Sequence, residues 1–123
     1  MKVALLLALV TVTATAVSQA MLKHGMNNIG SISPSVSQVS DSARKIISEP
    51  YIVGGLVLIF IVFPLWLEVL AHLPLSIAYP MVSMGYIVAI GIGALVFKES
   101  ITSLRVIGII LIIMGIVALS QSE

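Results

Sequence analysis

Thr11, Thr15, Ser18 and Gln19 stand at i, i+4, i+7 and i+8 in a run that carries no charge from Val3 to Leu22, and Lys23 follows Gln19 by four residues. On a helix this spacing gathers three hydroxyls and an amide on one face, with an ammonium one turn beyond. Such a stripe offers hydrogen bonds to a polar solute, and Lys23 offers charge to an anion. Tyr79, Ser83 and Tyr86 repeat the pattern at i, i+4 and i+7, beside Pro80. Glu68 is the one acid inside an apolar run, and a carboxylate there is a candidate proton or cation site. Plainer roles compete with each of these. Hydroxyls bond to the carbonyl of the preceding turn, Lys23 snorkels from a helix end, Tyr79 sits in an interfacial belt, and Glu68 reaches headgroup water or pairs with His72. Gln19 has no local backbone partner, and Tyr86, midway along its run, calls for a buried one.

The elements that carry these residues are set by hydropathy. The 123-residue chain is 59% hydrophobic and 9% charged, with a mean hydropathy of +1.20, too little charge for a soluble domain. Four apolar runs, Val3 to Leu22, Ile52 to Leu70, Leu75 to Phe97 and Ile101 to Leu119, are each near the 20 residues or so that cross about 30 Å of hydrocarbon. The expected fold is all-α, a single transmembrane domain over residues 1–123 with four helices. Lys2, the following apolar stretch and Ser18-Gln19-Ala20 also read as a cleaved signal peptide. Because the apolar run continues past Ala20 and includes Thr11, Thr13 and Thr15, a retained helix is expected instead.

Residues 25–49 form the one sizeable polar segment. Its second half, after Pro34, spaces Val36, Val39, Ala43, Ile46 and Ile47 as on an interfacial amphipathic helix, and reads equally as a solvated loop. Pro50 and Tyr51 suit the start of the second helix. Short links, residues 71–74 and 98–100, force tight antiparallel hairpins. Lys23, Arg44, Lys45, Lys98 and Arg105 lie on one side of the membrane and Lys2 on the other, which places both termini outside the cytoplasm by the positive-inside rule. Pro80 lacks a backbone N–H and should free the Ser76 carbonyl, a bend that makes it a candidate hinge. Gly85, Gly91, Gly93, Gly108 and Gly115 suit close helix packing.

Enzymatic chemistry finds no support. There is no phosphate-cradling glycine loop, no spaced carboxylate pair and no cysteine, and the two histidines are far apart, so neither a metal nor another cofactor is expected.

The stretch LWLEVLAHLPLSIAYPMVSMGY, from Leu65 to Tyr86, resembles the corresponding segment of the drug/metabolite transporter superfamily. The sequence FKESIT from Phe97, followed by Gly108 and Gly115, is similar to the superfamily's lead-in to its last helix. With four helices the chain resembles the small-multidrug-resistance-like branch, and within it the EamA-like flippase subunits for aminoarabinose-phosphoundecaprenol. Small multidrug exporters carry a glutamate in the first helix. The resemblance sets Thr15 at that place, and a hydroxyl does not exchange protons near neutral pH. Gln19 followed by Lys23 is instead similar to the lipid-flippase type of first helix.

The resemblance implies a subunit of a transporter in the cytoplasmic membrane that moves a polyprenyl-phosphate-linked sugar or a similar anionic lipid. Lys23 and Arg105 would meet the phosphodiester, and Thr15, Ser18, Gln19, Tyr79, Ser83 and Tyr86 would hydrogen-bond the headgroup. It also implies a dimer, with a second copy or with a related small subunit. Two alternatives stand beside it. One is a proton-coupled exporter of small cations or metabolites that relies on Glu68, and the other is a membrane scaffold that transports nothing.

Overall fold

The structure, a computed structural model, describes residues 2–32 and 35–122. Among them every regular element is helical: α1 Lys2–Ile29, a 3₁₀ turn Val36–Gln38, α2 Val39–Ser48, α3 Pro50–His72, α4 Leu75–Val82, α5 Met84–Leu95 and α6 Ser103–Ser120. Three helical stretches, Lys2–Ile29, Pro50–His72 and Leu75–Leu95, are long and apolar enough to span a bilayer, and Ser103–Leu119 is a shorter apolar one. Three stretches of spanning length and one shorter apolar helix agree with the expected all-α, four-span membrane fold.

Helix α1 runs seven residues beyond the end of its apolar run. Hydropathy falls at Lys23, but backbone hydrogen bonding does not depend on hydropathy, and the helix stops only where Gly30 adopts φ 86 and donates its N–H to the Met26 carbonyl at 2.8 Å. At 1.5 Å per residue, 28 residues reach about 42 Å, so the last turns clear the hydrocarbon. Gly25, expected to open the loop, is instead buried within α1. A Cβ there would lie 2.4 Å from Ile52 Cγ1, so only glycine lets α3 pass so near. Asn28 Nδ2 donates to Glu49 Oε1 at 3.2 Å just beyond this crossing.

The seam between α1 and α3 depends on missing side chains. A Cβ on Gly54 would meet Met21 Cε at 2.7 Å, and one on Gly55 would meet Leu22 Cδ2 at 2.9 Å and the Ser18 carbonyl at 3.0 Å. The glycines singled out for packing behave differently from one another. Gly85 meets Val12 and Gly93 meets Glu99, whereas Gly91, Gly108 and Gly115 have open space around them. Sequence alone does not say which face of a wholly apolar helix meets protein and which meets lipid.

The segment after the first span is a helix with no buried residue, α2, carrying Asp41 in its first turn and Lys45 in its last, as the helix dipole favours. Pro34, taken to precede it, lies outside the described residues. Pro50 opens α3 as its first residue, and His24 of α1 packs edge-on against Tyr51 with ring centroids 4.3 Å apart.

The bundle is closed at the end where α1 begins. Ala4, Ala8, Val69, Leu73, Ala78 and Met81 form its core there, flanked by Leu5, Leu7, Trp66, Leu70 and Ile77. The third span is interrupted at Ser83, three residues after Pro80. There the Ser83 N–H donates to the Pro80 carbonyl at 3.0 Å and the Tyr86 N–H to the Ser83 carbonyl at 3.1 Å, so the ladder tightens from i−4 to i−3. Among the described residues helix α6 has no buried one, and Leu104, Leu111 and Met114 are each more than 60% exposed. In a bilayer such a surface faces lipid or another protein.

Candidate functional site

One turn beyond the closed end, α1 and α5 border a groove. Its first part, a cleft of about 550 Å³, is lined by Thr11, Thr15 and Gln19 of α1 together with Phe63 and Trp66 of α3, Tyr79 and Val82 of α4 and Tyr86 of α5. A second part of about 390 Å³ continues from Gln19 and Tyr86 to Lys23, Phe97, Glu99 and Arg105. The two share Ala16, Gln19, Tyr86 and Ala89 and so form one path. One end is aromatic and aliphatic, whereas the other is charged.

The charged end is built by the turn after α5. Lys98 takes φ 54, the left-handed region rare for a side-chain-bearing residue, and the Glu99 N–H donates to the Gly93 carbonyl at 3.0 Å. This fold-back lays the Glu99 carboxylate against α5, where a Cβ on Gly93 would stand 2.9 Å from Oε2. Lys23 Nζ donates to Glu99 Oε1 and lies 4.9 Å from the centroid of the Phe97 ring. Arg105 enters from the first turn of α6. Its N–H is accepted by the Thr102 hydroxyl at 3.3 Å, and Nη1 donates to the Ser100 carbonyl at 3.0 Å. Two cations and one anion thus meet at the groove mouth.

Along α1 the hydroxyls satisfy themselves. Thr11 Oγ1 donates to the Leu7 carbonyl at 2.7 Å, Thr15 Oγ1 to the Thr11 carbonyl at 2.8 Å and Ser18 Oγ to the Thr15 carbonyl at 2.7 Å. Thr15 keeps its place on the groove. Ser18 does not: it is fully buried beside α3 and lines neither cleft. The Gln19 side chain makes no hydrogen bond among the described residues, and Gln19 lines both clefts.

The tyrosines differ from expectation in burial. Tyr79 is 63% and Tyr86 60% exposed, and both edge the groove without the buried partner that the depth of Tyr86 suggested. Their surroundings become interior only when a ligand, lipid or second protein covers the groove. Ser83 lies at the tightened turn and lines neither cleft, because the i−3 bonds there rotate it away from the i, i+4, i+7 register of a regular helix.

Glu68 stands elsewhere. Its carboxylate is 3.4 Å from His72 Nδ1, both side chains are about 60% exposed, and it borders neither cleft. His72 Nδ1 also lies 3.0 Å from the Glu68 carbonyl. Conversely, reading by residue type passed over Glu99 and Phe97. The legible signal was an acid in a three-residue link between spans, close in sequence to Lys98 and Arg105.

A multi-span helical bundle with a lateral groove, apolar at one end and charged at the other, has the form of a membrane transporter for amphipathic solutes. Residues 37–121 match the EamA-like transporter family, and the chain belongs to that family. It is a multi-pass protein of the bacterial inner membrane. Among curated relatives, a probable 4-amino-4-deoxy-L-arabinose-phosphoundecaprenol flippase subunit ArnE of Proteus mirabilis is 45% identical over 58 residues, 47% of this chain and 51% of that relative. The match thus spans about half the relative's length. The corresponding ArnE subunit of Photorhabdus laumondii is 30% identical over 84 residues, 68% of this chain and 74% of its own. The ArnF subunit of the same organism is 27% identical over 122 residues, 94% of each chain. No solved structure matches.

Proposed function

We propose that this chain is a subunit of a flippase that moves a polyprenyl-phosphate-linked sugar, or a closely similar anionic lipid, across the inner membrane. The observation that carries the reading is the gradient along one groove, from Phe63, Trp66 and Val82 at its apolar part to Gln19, Tyr86, Lys23 and Arg105 at its polar part. An amphipathic lipid has the same gradient. Its headgroup would sit against the polar residues, with the phosphodiester at Lys23 and Arg105 and sugar hydroxyls at Gln19, Tyr86, Tyr79 and Thr15, while the prenyl chain stays among lipid tails. Ser18 and Ser83, off the groove, drop out of this contact set.

The relatives' names supply the lipid class, and the positive residues around the groove mouth suit a cytoplasmic side for loading. Alternating access would use the break after Pro80 as its bending point, with α4 and α5 moving separately about Ser83. A related small subunit, or a second copy, would cover the exposed side of the groove and complete the path. The chain needs no catalytic step for this role.

Reconstituted vesicles containing the chain with its related small subunit test the reading through headgroup translocation of a labelled polyprenyl phosphosugar. Lys23→Ala should slow translocation by about tenfold or more, and Tyr86→Phe by a few-fold, in line with loss of one charge-assisted and one neutral hydrogen bond. Unchanged rates in both variants would show that the headgroup passes elsewhere.

A further inference from the structure

The groove mouth is charged with both signs, and the negative charge is placed by construction. Glu99 is not a loop residue that happens to reach Lys23. Left-handed Lys98, the Glu99 N–H to Gly93 carbonyl bond and the absent side chain at Gly93 together hold its carboxylate across the groove. The carboxylate occupies the very ammonium that the proposed function assigns to the lipid phosphate. A phosphodiester that reaches Lys23 therefore shares the ammonium with Glu99 or displaces it, and in either case the carboxylate stands beside the bound headgroup with its charge no longer balanced.

We infer that Glu99 is a specificity-determining residue that selects lipid phosphodiesters whose headgroup also carries a cationic amine. This rests on the flippase reading and extends it to the charge of the sugar. A headgroup with phosphate alone sets the Lys23–phosphate pair against the Lys23–Glu99 pair and leaves the carboxylate facing a second anion, a like-charge juxtaposition that weakens binding. A headgroup with an amine exchanges ion pairs one for one: phosphate takes Lys23 and Arg105, and the ammonium takes Glu99. The same carboxylate acts as a counter-ion for Lys23 when the groove is empty, so an unpaired ammonium is not exposed between transport events. The side chains of Lys23 and Glu99 are 50% and 35% exposed, open enough for the exchange to occur without unfolding the turn.

The test is retention, by native mass spectrometry from mild detergent, of two polyprenyl phosphodiesters that differ only in a neutral pentose or the corresponding 4-aminopentose. The wild-type chain should favour the amino lipid by about five- to tenfold. Glu99→Gln should bring that ratio to about one, chiefly by retaining more of the neutral-sugar lipid, because Lys23 is then free of its internal competitor. Glu99→Asp, which keeps the charge on a shorter arm, should restore part of the preference and guards against a folding defect in the amide variant. Lys23→Gln should lose both lipids alike. A preference that survives in Glu99→Gln while Lys23→Gln loses both lipids overturns the role of Glu99 alone. Undiminished retention of both lipids by Lys23→Gln overturns the anion site and the flippase reading with it.

Discussion

An ammonium at the membrane boundary has to reach water or find a counter-charge, and Lys23 does some of each. It meets Glu99 from a link 76 residues later and packs over Phe97, so its position is set by the turn between the third and fourth spans as much as by its own helix. Gln19, one turn deeper, is left with unused donors and an acceptor at the junction of the two clefts, the chemistry a sugar headgroup requires. Glu68 presents the opposite case. It is the one acid inside an apolar run and so a candidate proton or cation site by sequence, yet it is exposed near the closed end, away from the groove. Glu68→Gln should leave translocation of a lipid phosphosugar unchanged and cost under about 0.5 kcal/mol of stability, the usual value of an exposed helical pair. A transport assay that shows abolition instead would return the chain to the cation-exporter alternative.

At the scale of elements, the first and third spans are joined to their neighbours by different means. Helix α1 meets α3 through missing side chains at Gly25, Gly54 and Gly55, which bring backbone to backbone where apolar bulk gains little over lipid. Gly55→Val would drive a branched side chain into Leu22 and the Ser18 carbonyl. It should destabilise the bundle by about 1–3 kcal/mol, read as an earlier loss of monodisperse protein on heating in detergent. Gly91→Ala, facing open space, should melt as the wild type does. The third span is shaped by backbone chemistry. Pro80 removes a donor, the ladder shifts to i−3 at Ser83, and Tyr79 and Tyr86 end on the same groove while Ser83 turns off it. The register of a regular helix, applied across a proline, misassigned one residue in three.

For the whole molecule, the groove is left open to its surroundings. Two tyrosines more than half exposed, a groove open along its side and a final helix with nothing buried among its described residues describe a chain whose remaining walls are lipid or another protein. The matches to both ArnE and ArnF subunits suit a heteromeric pair of small chains. Single cysteines at Gly108 and Gly115 of α6, oxidised in native membranes, should form a disulfide with the same cysteine of a second copy or with a cysteine placed on the last helix of the related small subunit. Labelling of a cysteine placed at Gln121 from the periplasmic side should report the terminus outside the cytoplasm, as the charge bias predicts. Exclusive labelling from the cytoplasm would reverse the orientation, and with it the side on which the charged mouth loads.

What sequence alone determined are the properties that bilayer physics imposes on any chain of this composition. Four apolar runs, two short links, a polar segment able to form a surface helix and a polar stripe on the first span follow from hydropathy, period and reach. Thr15, Gln19 and Lys23 were legible in this way because a regular helix fixes their common side. Tertiary structure alone decided the rest. The pairing of Lys23 with Glu99 joins two ends of the chain and depends on one left-handed residue. The burial of Ser18 depends on which side of α1 receives Gly55, and the isolation of Glu68 depends on where the bundle closes. An apolar helix in lipid carries no amphipathic signal to tell its protein side from its lipid side, so these choices are made by close packing and by charges meeting across space.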